Sequence, residues 1–375
     1  MKAAQERQTH IRVLLTVSAL STTAAQYRHL LAFIKYIPRD RFQLTVCSFR
    51  NQGYEEMKAY LDERCIPVFV ARVRPRGNKL RHFRDFWEDQ SLIEQHGPFD
   101  IQHSLDFSAT PLEAIAAKLK SRYFICSQRN VMPDHEWVYR TKFFFCDRII
   151  AISDVVHNRL LELKVPSQKI RKIYNGIDVP QITNQLRTSQ PKKSGTILFV
   201  GHIVRLKRHE DAIQAVAALI NDLPYITLQI AGAVYDKDYY KELCQLVENL
   251  NLEAHINFLG SREDIIPLMQ EAELLVLCSQ HEAIPLTILE AMAVGLPVVA
   301  SNIPGNRQLI QNGREGLLVP IGDIQSYIQA IRTLLTQPQQ ARKLAHQARL
   351  TMEQNFTAAR MVSQTVDTYK ELMGI

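Results

Sequence analysis

The stretch Glu273–Ala300, ELLVLCSQHEAIPLTILEAMAVGLPVVA, constrains the fold more than any other part of the chain. It opens on a short apolar run, Leu274–Cys278, of the kind that forms a strand covered on both faces. A polar turn, Ser279-Gln280-His281-Glu282, follows it, and Pro285 then stands where a helix would begin, a position where its missing N–H costs nothing. The helix predicted to run through Glu290, Ala291 and Met292 ends at Gly295, and a second apolar run, Leu296–Ala300, starts almost at once. Strand, helix and strand in so few residues describe a tight parallel βαβ unit.

The same alternation runs through the rest of the sequence and predicts a parallel α/β protein. Strands are expected at Ile11–Val17, Phe42–Ser48, Pro67–Arg72, Phe99–His103, Tyr123–Cys126, Asp147–Ile152 and Ile170–Tyr174. Helices are expected between them, one of them over Asp154–Leu163 with Ser153 as its cap. A polar stretch from about Gln181 to Ser194 reads as a domain linker. Alternation then resumes with strands at Thr196–Val200, Ile226–Ala231 and Ile256–Leu259, the βαβ unit, a last strand within Gly316–Pro320 and three closing helices. At 375 residues, two domains are expected, both doubly wound and Rossmann-like, with a cleft between them.

Composition narrows the chemistry. No apolar segment reaches the roughly 18 residues of a membrane span, and no secretory leader precedes the first strand. Six scattered cysteines without a C-x-x-C pair read as reduced core thiols of a cytoplasmic protein, not as a zinc site or disulfide framework. A net charge of +7 suits polyanionic substrates or an anionic membrane surface and is too weak to imply nucleic acid. Neither G-x-G-x-x-G nor G-x4-G-K-[ST] occurs, so dinucleotide dehydrogenase and P-loop chemistry lack their phosphate cradle.

In an open parallel sheet, ligands bind beyond the carboxyl ends of the strands. That edge of the βαβ unit presents Glu282 and the first-turn N–H groups of Leu286 and Thr287, which suit a phosphate. Glu290 adds a second carboxylate able to accept hydroxyl hydrogen bonds. The combination fits a ligand that is part phosphate and part sugar; the alternative is two surface charges that stabilise the first helical turns. A second cluster, Phe199-Val200-Gly201-His202-Ile203-Val204-Arg205-Leu206-Lys207, ends a strand and leads into a helix. Positive charge is disfavoured at a helix N-terminus unless an anion offsets it, so Lys207 and Arg205 point to a bound anion, with a solvated basic helix start as the alternative.

The E-x7-E pattern of Glu282 and Glu290, followed by EAMA and GLPVVAS, resembles family 4 of the retaining glycosyltransferases. The resemblance covers most of the chain and implies the GT-B fold, with the closing helix returning to the first domain. It implies boundaries at 1–178 for the N-terminal acceptor-side domain, 179–357 for the nucleotide-sugar domain and 358–375 for the returning helix. Phe199–Lys207 resembles the family's V-G-R-x4-K element, whose Arg and Lys clamp the donor diphosphate; Lys207 matches, His202 replaces the Arg, and Arg205 is the substitute. Resemblance further places Ser261 near the base, Glu290 on the ribose hydroxyls and Glu282 on the sugar. Asn175-Gly176-Ile177-Asp178 resembles a hinge signature.

The resemblance is strongest from Ile149 to Pro320, and the amino-terminal domain matches less well. Ser21–Gln26 replaces a Gly-Gly loop, and Gln308 replaces the Glu of a Gly-x-x-Glu loop. For the family's sugar-contacting His the candidates are His103, read as a packed strand residue, and Asp106, taken as the catalytic contact. Asp236-Lys237-Asp238 spells a metal-binding D-x-D but reads as an acidic helix start. No metal and no cofactor beyond the donor substrate is expected. Arg72–Trp87, basic with interleaved aromatics, is a candidate peripheral membrane contact at the inner face of the membrane, or a solvated helix packing its aromatics inward.

The expectation is a metal-independent, retaining hexosyltransferase that moves a sugar from a nucleotide-diphosphate donor to a hydroxyl. By analogy the acceptor is a lipid-linked or polysaccharide intermediate of a cell envelope, as in lipopolysaccharide synthesis. The alternatives are a nucleotide-sugar epimerase of the same fold and a nucleotide-sugar-binding protein that has lost catalysis.

Overall fold

A computed structural model describes residues 10–20, 25–71, 91–105, 111–129, 136–186 and 192–375. Asp106, the Ser21–Ala24 part of the glycine-lacking loop and the basic Arg72–Trp87 stretch lie outside the described residues.

The chain divides into two compact units, residues 1–174 with 358–375, and residues 175–357. The first unit contains a sheet of β1 (Ile11–Val17), β2 (Phe42–Ser48), β3 (Val68–Val70), β4 (Phe99–Ser104), β5 (Ser121–Gln128), β6 (Arg148–Ala151) and β7 (Ile170–Lys172), ordered β3-β2-β1-β4-β5-β6-β7. The second contains β8 (Thr196–Val200), β9 (Thr227–Ala231), β10 (Ile256–Gly260), β11 (Leu274–Leu277), β12 (Val298–Ser301) and β13 (Leu317–Val319), ordered β10-β9-β8-β11-β12-β13. Every strand pair is parallel. These are the two doubly wound sheets that the alternation predicts. In each, the order reverses once, between β1 and β4 and between β8 and β11.

Parallel pairing explains the apolar runs. Helices cover both faces, so β11 is buried at every position and β8 at all but its last. The helix Leu286–Val294 is itself buried from Ile288 through Ala293, and it packs against the long helix Pro338–Asn355. Gly295, in the left-handed conformation at φ 73°, ends it, and Leu296 N–H closes back on Ala291 O at 2.8 Å. The closing helix Ala358–Met373 lays Met361, Val362, Val366 and Tyr369 into the core of the first unit, beside Phe33, Phe42 and Leu44.

Two expectations need correction. The polar run taken as a linker begins with a helix, Val179–Gln185, whose first turn is capped by Asp178 accepting from Gln181 N–H at 3.3 Å. An Asp followed by Pro180 at the first turn is a start signal that composition alone hides. The strand expected over Pro67–Arg72 is confined to Val68–Val70. A short helix, Ile265–Glu271, lies between β10 and β11.

Candidate functional site

Two loops of the second unit meet at its strand-order reversal, where β8 and β11 lie side by side. The loop after β8 passes through Gly201 and His202 into a 3-10 turn, Arg205–Lys207, and Arg208 then takes the left-handed conformation at φ 52° before the helix His209–Leu219. The loop after β11 carries Ser279 to Pro285. Gln280 N–H donates to Leu206 O at 2.8 Å, which stitches one loop to the other.

That geometry brings Lys207 and Glu282 together across 75 residues of sequence: Lys207 Nζ donates to Glu282 Oε1, both side chains being largely buried. Ser279 Oγ donates to the same oxygen at 2.8 Å. Gly232 lets the loop after β9 press against the one after β8, since a Cβ there would fall 2.0 Å from Gly201 O. Pro285 caps the adjoining helix, so the Leu286 and Thr287 N–H groups stand in its first turn, ahead of the intrahelical ladder. Glu290 lies one helical turn further on and is buried, which removes the reading of it as a surface charge.

The Glu282 loop is braced from behind by Ser301, Gly305 and Asn306, to which the sequence reading gave no role, and by Gln308. Ser301 Oγ donates to Ser279 O at 2.5 Å, and Asn306 Nδ2 donates to Ser301 O at 2.7 Å. Gly305 presses against Glu282, and a Cβ there would fall 2.1 Å from Glu282 O. Gln308 Nε2 donates to Ala283 O at 3.3 Å and to Pro304 O at 3.1 Å. A carboxylate accepts and cannot donate, so a Glu at this position could not make that brace. The only signal for the brace is that small polar residues close both β11 and β12.

Other predicted residues make their contacts elsewhere than with the Lys207–Glu282 pair. Arg205, the proposed substitute for the missing Arg, turns to the helix Lys237–Asn249, where its two terminal nitrogens donate to Glu242 at 2.8 and 2.5 Å over the Tyr239 ring. His202 packs on Tyr235 with ring centroids 4.5 Å apart, and burial, with Lys207 nearby, lowers its pKa, so the ring is neutral near pH 7. Ser261 follows Gly260, which turns at φ 66°, and is exposed. Asp236 of the D-x-D accepts from Tyr239 N–H at 2.9 Å and so caps a helix. Among the described residues no group of His, Cys, Asp and Glu side chains could hold a metal ion.

In the first unit, His103 is a core residue. Its Nδ1 lies 2.5 Å from Tyr369 Oη on the closing helix and its Nε2 lies 2.8 Å from Ser127 Oγ. Burial pushes its pKa down to about 3, so it stays neutral. Nearby, Thr16 Oγ1 donates to Glu113 Oε1 at 2.7 Å, and Lys142 Nζ stands 3.7 Å from the other oxygen of that carboxylate, both charged side chains being fully buried.

Two family models match the chain back to back. The model described as Glycosyltransferase Family 4 matches residues 26–181, and that described as Glycosyl transferases group 1 matches residues 182–351. N-acetyl-alpha-D-glucosaminyl L-malate synthase of Bacillus anthracis is 27% identical over a segment covering 60% of each chain. The match to the putative glycosyltransferase EpsD of Bacillus subtilis covers 62% of each, so the chain spans under two-thirds of the length of these relatives. Over 97% of this chain and 96% of its own length, UDP-Gal:alpha-D-GlcNAc-diphosphoundecaprenol alpha-1,3-galactosyltransferase of Escherichia coli is 23% identical. Among solved structures, Anabaena Alr3699/HepE in complex with UDP and glucose superposes with a TM-score of 0.81 at 23% identity, covering 96% of this chain and 100% of that one. With both models matched and the same GT-B fold throughout, the chain belongs to the group 1, family 4 glycosyltransferases.

Proposed function

We propose that the protein transfers a sugar from a nucleotide-diphosphate donor to a hydroxyl acceptor with retention of anomeric configuration. The observation that carries this reading is the meeting of Lys207 and Glu282 at the strand-order reversal, beside the first-turn amides of the helix that holds Glu290. Glu282 balances the charge of the lysine. A diphosphate arriving at Leu286 and Thr287 N–H takes over that lysine, which frees Glu282 to accept from the sugar hydroxyls, while Glu290 accepts from the ribose. In transfer, the bond from the anomeric carbon to the phosphate oxygen breaks and the acceptor oxygen bonds to that carbon. Charge develops on the departing diphosphate, where a cation and oriented amides stabilise it most, and the leaving phosphate takes the acceptor's proton. Cation and amides suffice for this step without a metal, and the donor is a substrate, so no cofactor is required.

His202 supplies no fixed charge and Arg205 is held by Glu242, so Lys207 is the cation on which diphosphate binding depends. The E. coli relative's name gives a UDP-sugar donor and a lipid-diphosphate acceptor, and the Anabaena structure holds UDP and glucose; a UDP-hexose and a lipid-linked or polysaccharide cell-envelope acceptor are the first choices here. The Arg72–Trp87 stretch would add a peripheral contact at the inner face of the membrane.

The same replacements at His202 and Gln308 favour one competitor, a protein that binds nucleotide sugars without turning them over. Incubation with a panel of UDP-, GDP- and ADP-sugars separates the cases. Nucleotide release that depends on an added acceptor supports transfer; a changed sugar with no acceptor indicates epimerisation; binding without either product overturns catalysis.

A further inference from the structure

Arg208 joins a strained backbone to a buried ion pair. Its backbone is left-handed, at φ 52° and ψ 52°, a conformation that glycine adopts without the Cβ crowding that other residues meet. Its guanidinium grips Asp211 through both carboxylate oxygens, Nε to Oδ2 at 2.7 Å and Nη2 to Oδ1 at 2.6 Å. Asp211 is 1% exposed, so its charge depends on this partner. A glycine would make the same turn with less strain; what the arginine adds is the fork.

The place of this pair gives it a consequence. Arg208 follows Lys207 directly and precedes the helix His209–Leu219. Behind it, Lys207 N–H donates to Val204 O at 2.9 Å and Arg208 N–H donates to Arg205 O at 3.1 Å, which closes the 3-10 turn. Ahead of it, Asp211 N–H donates to Arg208 O at 3.1 Å, so backbone and side chain both tie Arg208 to the first helical turn. Gly322, just after β13, fits against the fork: a Cβ there would lie 3.3 Å from Arg208 Nη2. Burial, and then the charge of Asp211, pushes up the thiol of Cys278, which starts the loop that carries Glu282. The carboxylate that holds Arg208 therefore lies near the roots of both loops of the site.

A lysine carries its charge on a flexible four-carbon stem, so the place of its ammonium depends on how firmly its backbone is held. The nitrogens of Arg208 go to Asp211 and, at 3.9 Å, to Glu210, so its own charge is already matched. We infer that Arg208, locked by Asp211, is a positioning residue: it fixes the root of Lys207 and so sets how tightly the donor's diphosphate is held, without touching the donor. The inference rests on the reading of Lys207 as the diphosphate cation.

The test is a double-mutant cycle, read by calorimetric titration of the full chain with uridine diphosphate. Arg208→Gly alone would leave Asp211 buried without its cation, so it is combined with Asp211→Asn, which removes the charge and keeps the shape. This pair variant should raise the Kd about fivefold or more. Its thermal unfolding midpoint should stay close to that of the wild type, because relief of the left-handed backbone offsets the lost ion pair. Arg208→Lys keeps the charge but cannot form the fork, and should raise the Kd about twofold or more. In a Lys207→Ala background the pair substitutions should change the Kd by less than about twofold, because Arg208 acts through that lysine. The inference is overturned if the pair variant and Arg208→Lys both bind as the wild type does, whatever their unfolding midpoints. It is overturned equally if the full loss recurs in the Lys207→Ala background, which would show Arg208 acting by its own charge. Failure of the wild type to bind uridine diphosphate, or an unchanged Kd in Lys207→Ala, would instead remove the donor-site reading, and the inference with it.

Discussion

The two units share one winding order yet use their polar residues in opposite ways. At the strand-order reversal of the second, Lys207 and Glu282 form an ion pair that keeps some contact with water, in the same unit as the first-turn amides of Leu286 and Thr287. Beneath the corresponding reversal in the first, Thr16, Glu113 and Lys142 are consumed in a fully buried network, and His103 is held by Tyr369 and Ser127. Burial decides the difference. A pair that keeps some contact with water can exchange its partner for a phosphate, whereas a sealed pair holds the fold and cannot be offered to a ligand.

The largest expected effect tests the sealed pair. Lys142→Met leaves Glu113 buried without its cation and should cost about 3–5 kcal/mol of unfolding free energy by urea titration. It should leave nucleotide affinity unchanged. The second unit should show the reverse: Lys207→Ala and Glu290→Ala should each raise the nucleoside diphosphate or nucleotide-sugar Kd by about 1–3 kcal/mol, roughly 5- to 150-fold, in calorimetry. Only small shifts in the unfolding midpoint should accompany them. If Lys142→Met weakened nucleotide binding as much as Lys207→Ala, the contrast between the units would fail.

A third effect depends on pH. His103 has an ordinary pKa of 6.5 and a folded value of about 3, so between these limits the unfolded chain binds more protons. Stability supplied by the neutral ring is therefore complete above about pH 6.5 and declines as pH falls, by up to about 1.4 kcal/mol per pH unit. His209 in the second unit, pushed down to about 4 by burial, acts the same way over a narrower window. Urea titrations at pH 5 and pH 7 should show a smaller pH difference in His103→Gln and in His209→Gln than in wild type, by nearly equal amounts, because both folded values lie below pH 5; the two variants part only below about pH 4. The smallest expected effect is at Gln308. Gln308→Glu forfeits two donations to carbonyls, a loss of about 1 kcal/mol in unfolding free energy.

Element positions were legible because apolar runs and caps are local signals. Ser153 caps its helix by accepting from Val156 N–H at 3.1 Å, as its place before an amphipathic run predicts. The helix Val179–Gln185 escaped because its polar composition outweighed its Asp-Val-Pro start. Within the site, Glu282, Glu290, Lys207 and the helix N-terminus could be named from residue type and position at strand ends. Arg205 was misjudged because nearness in sequence to Lys207 says nothing of Glu242. The Ser279–Ser301–Asn306 brace was invisible for the same reason: small polar residues are common in loops, and only their convergence has meaning.

The sequence by itself determined the alternation of strands and helices, the buried character of β8 and β11, and the kinds of group at their ends, because side-chain period and capping act over a few residues. Only the tertiary structure decided that Lys207 meets Glu282 across 75 residues and that His103 is claimed by Tyr369 across 266. It also decided that Glu290 is buried and that Arg205 is turned away. Partner choice at such separations follows from strand order and from the water each group loses, and neither quantity exists until the chain has packed.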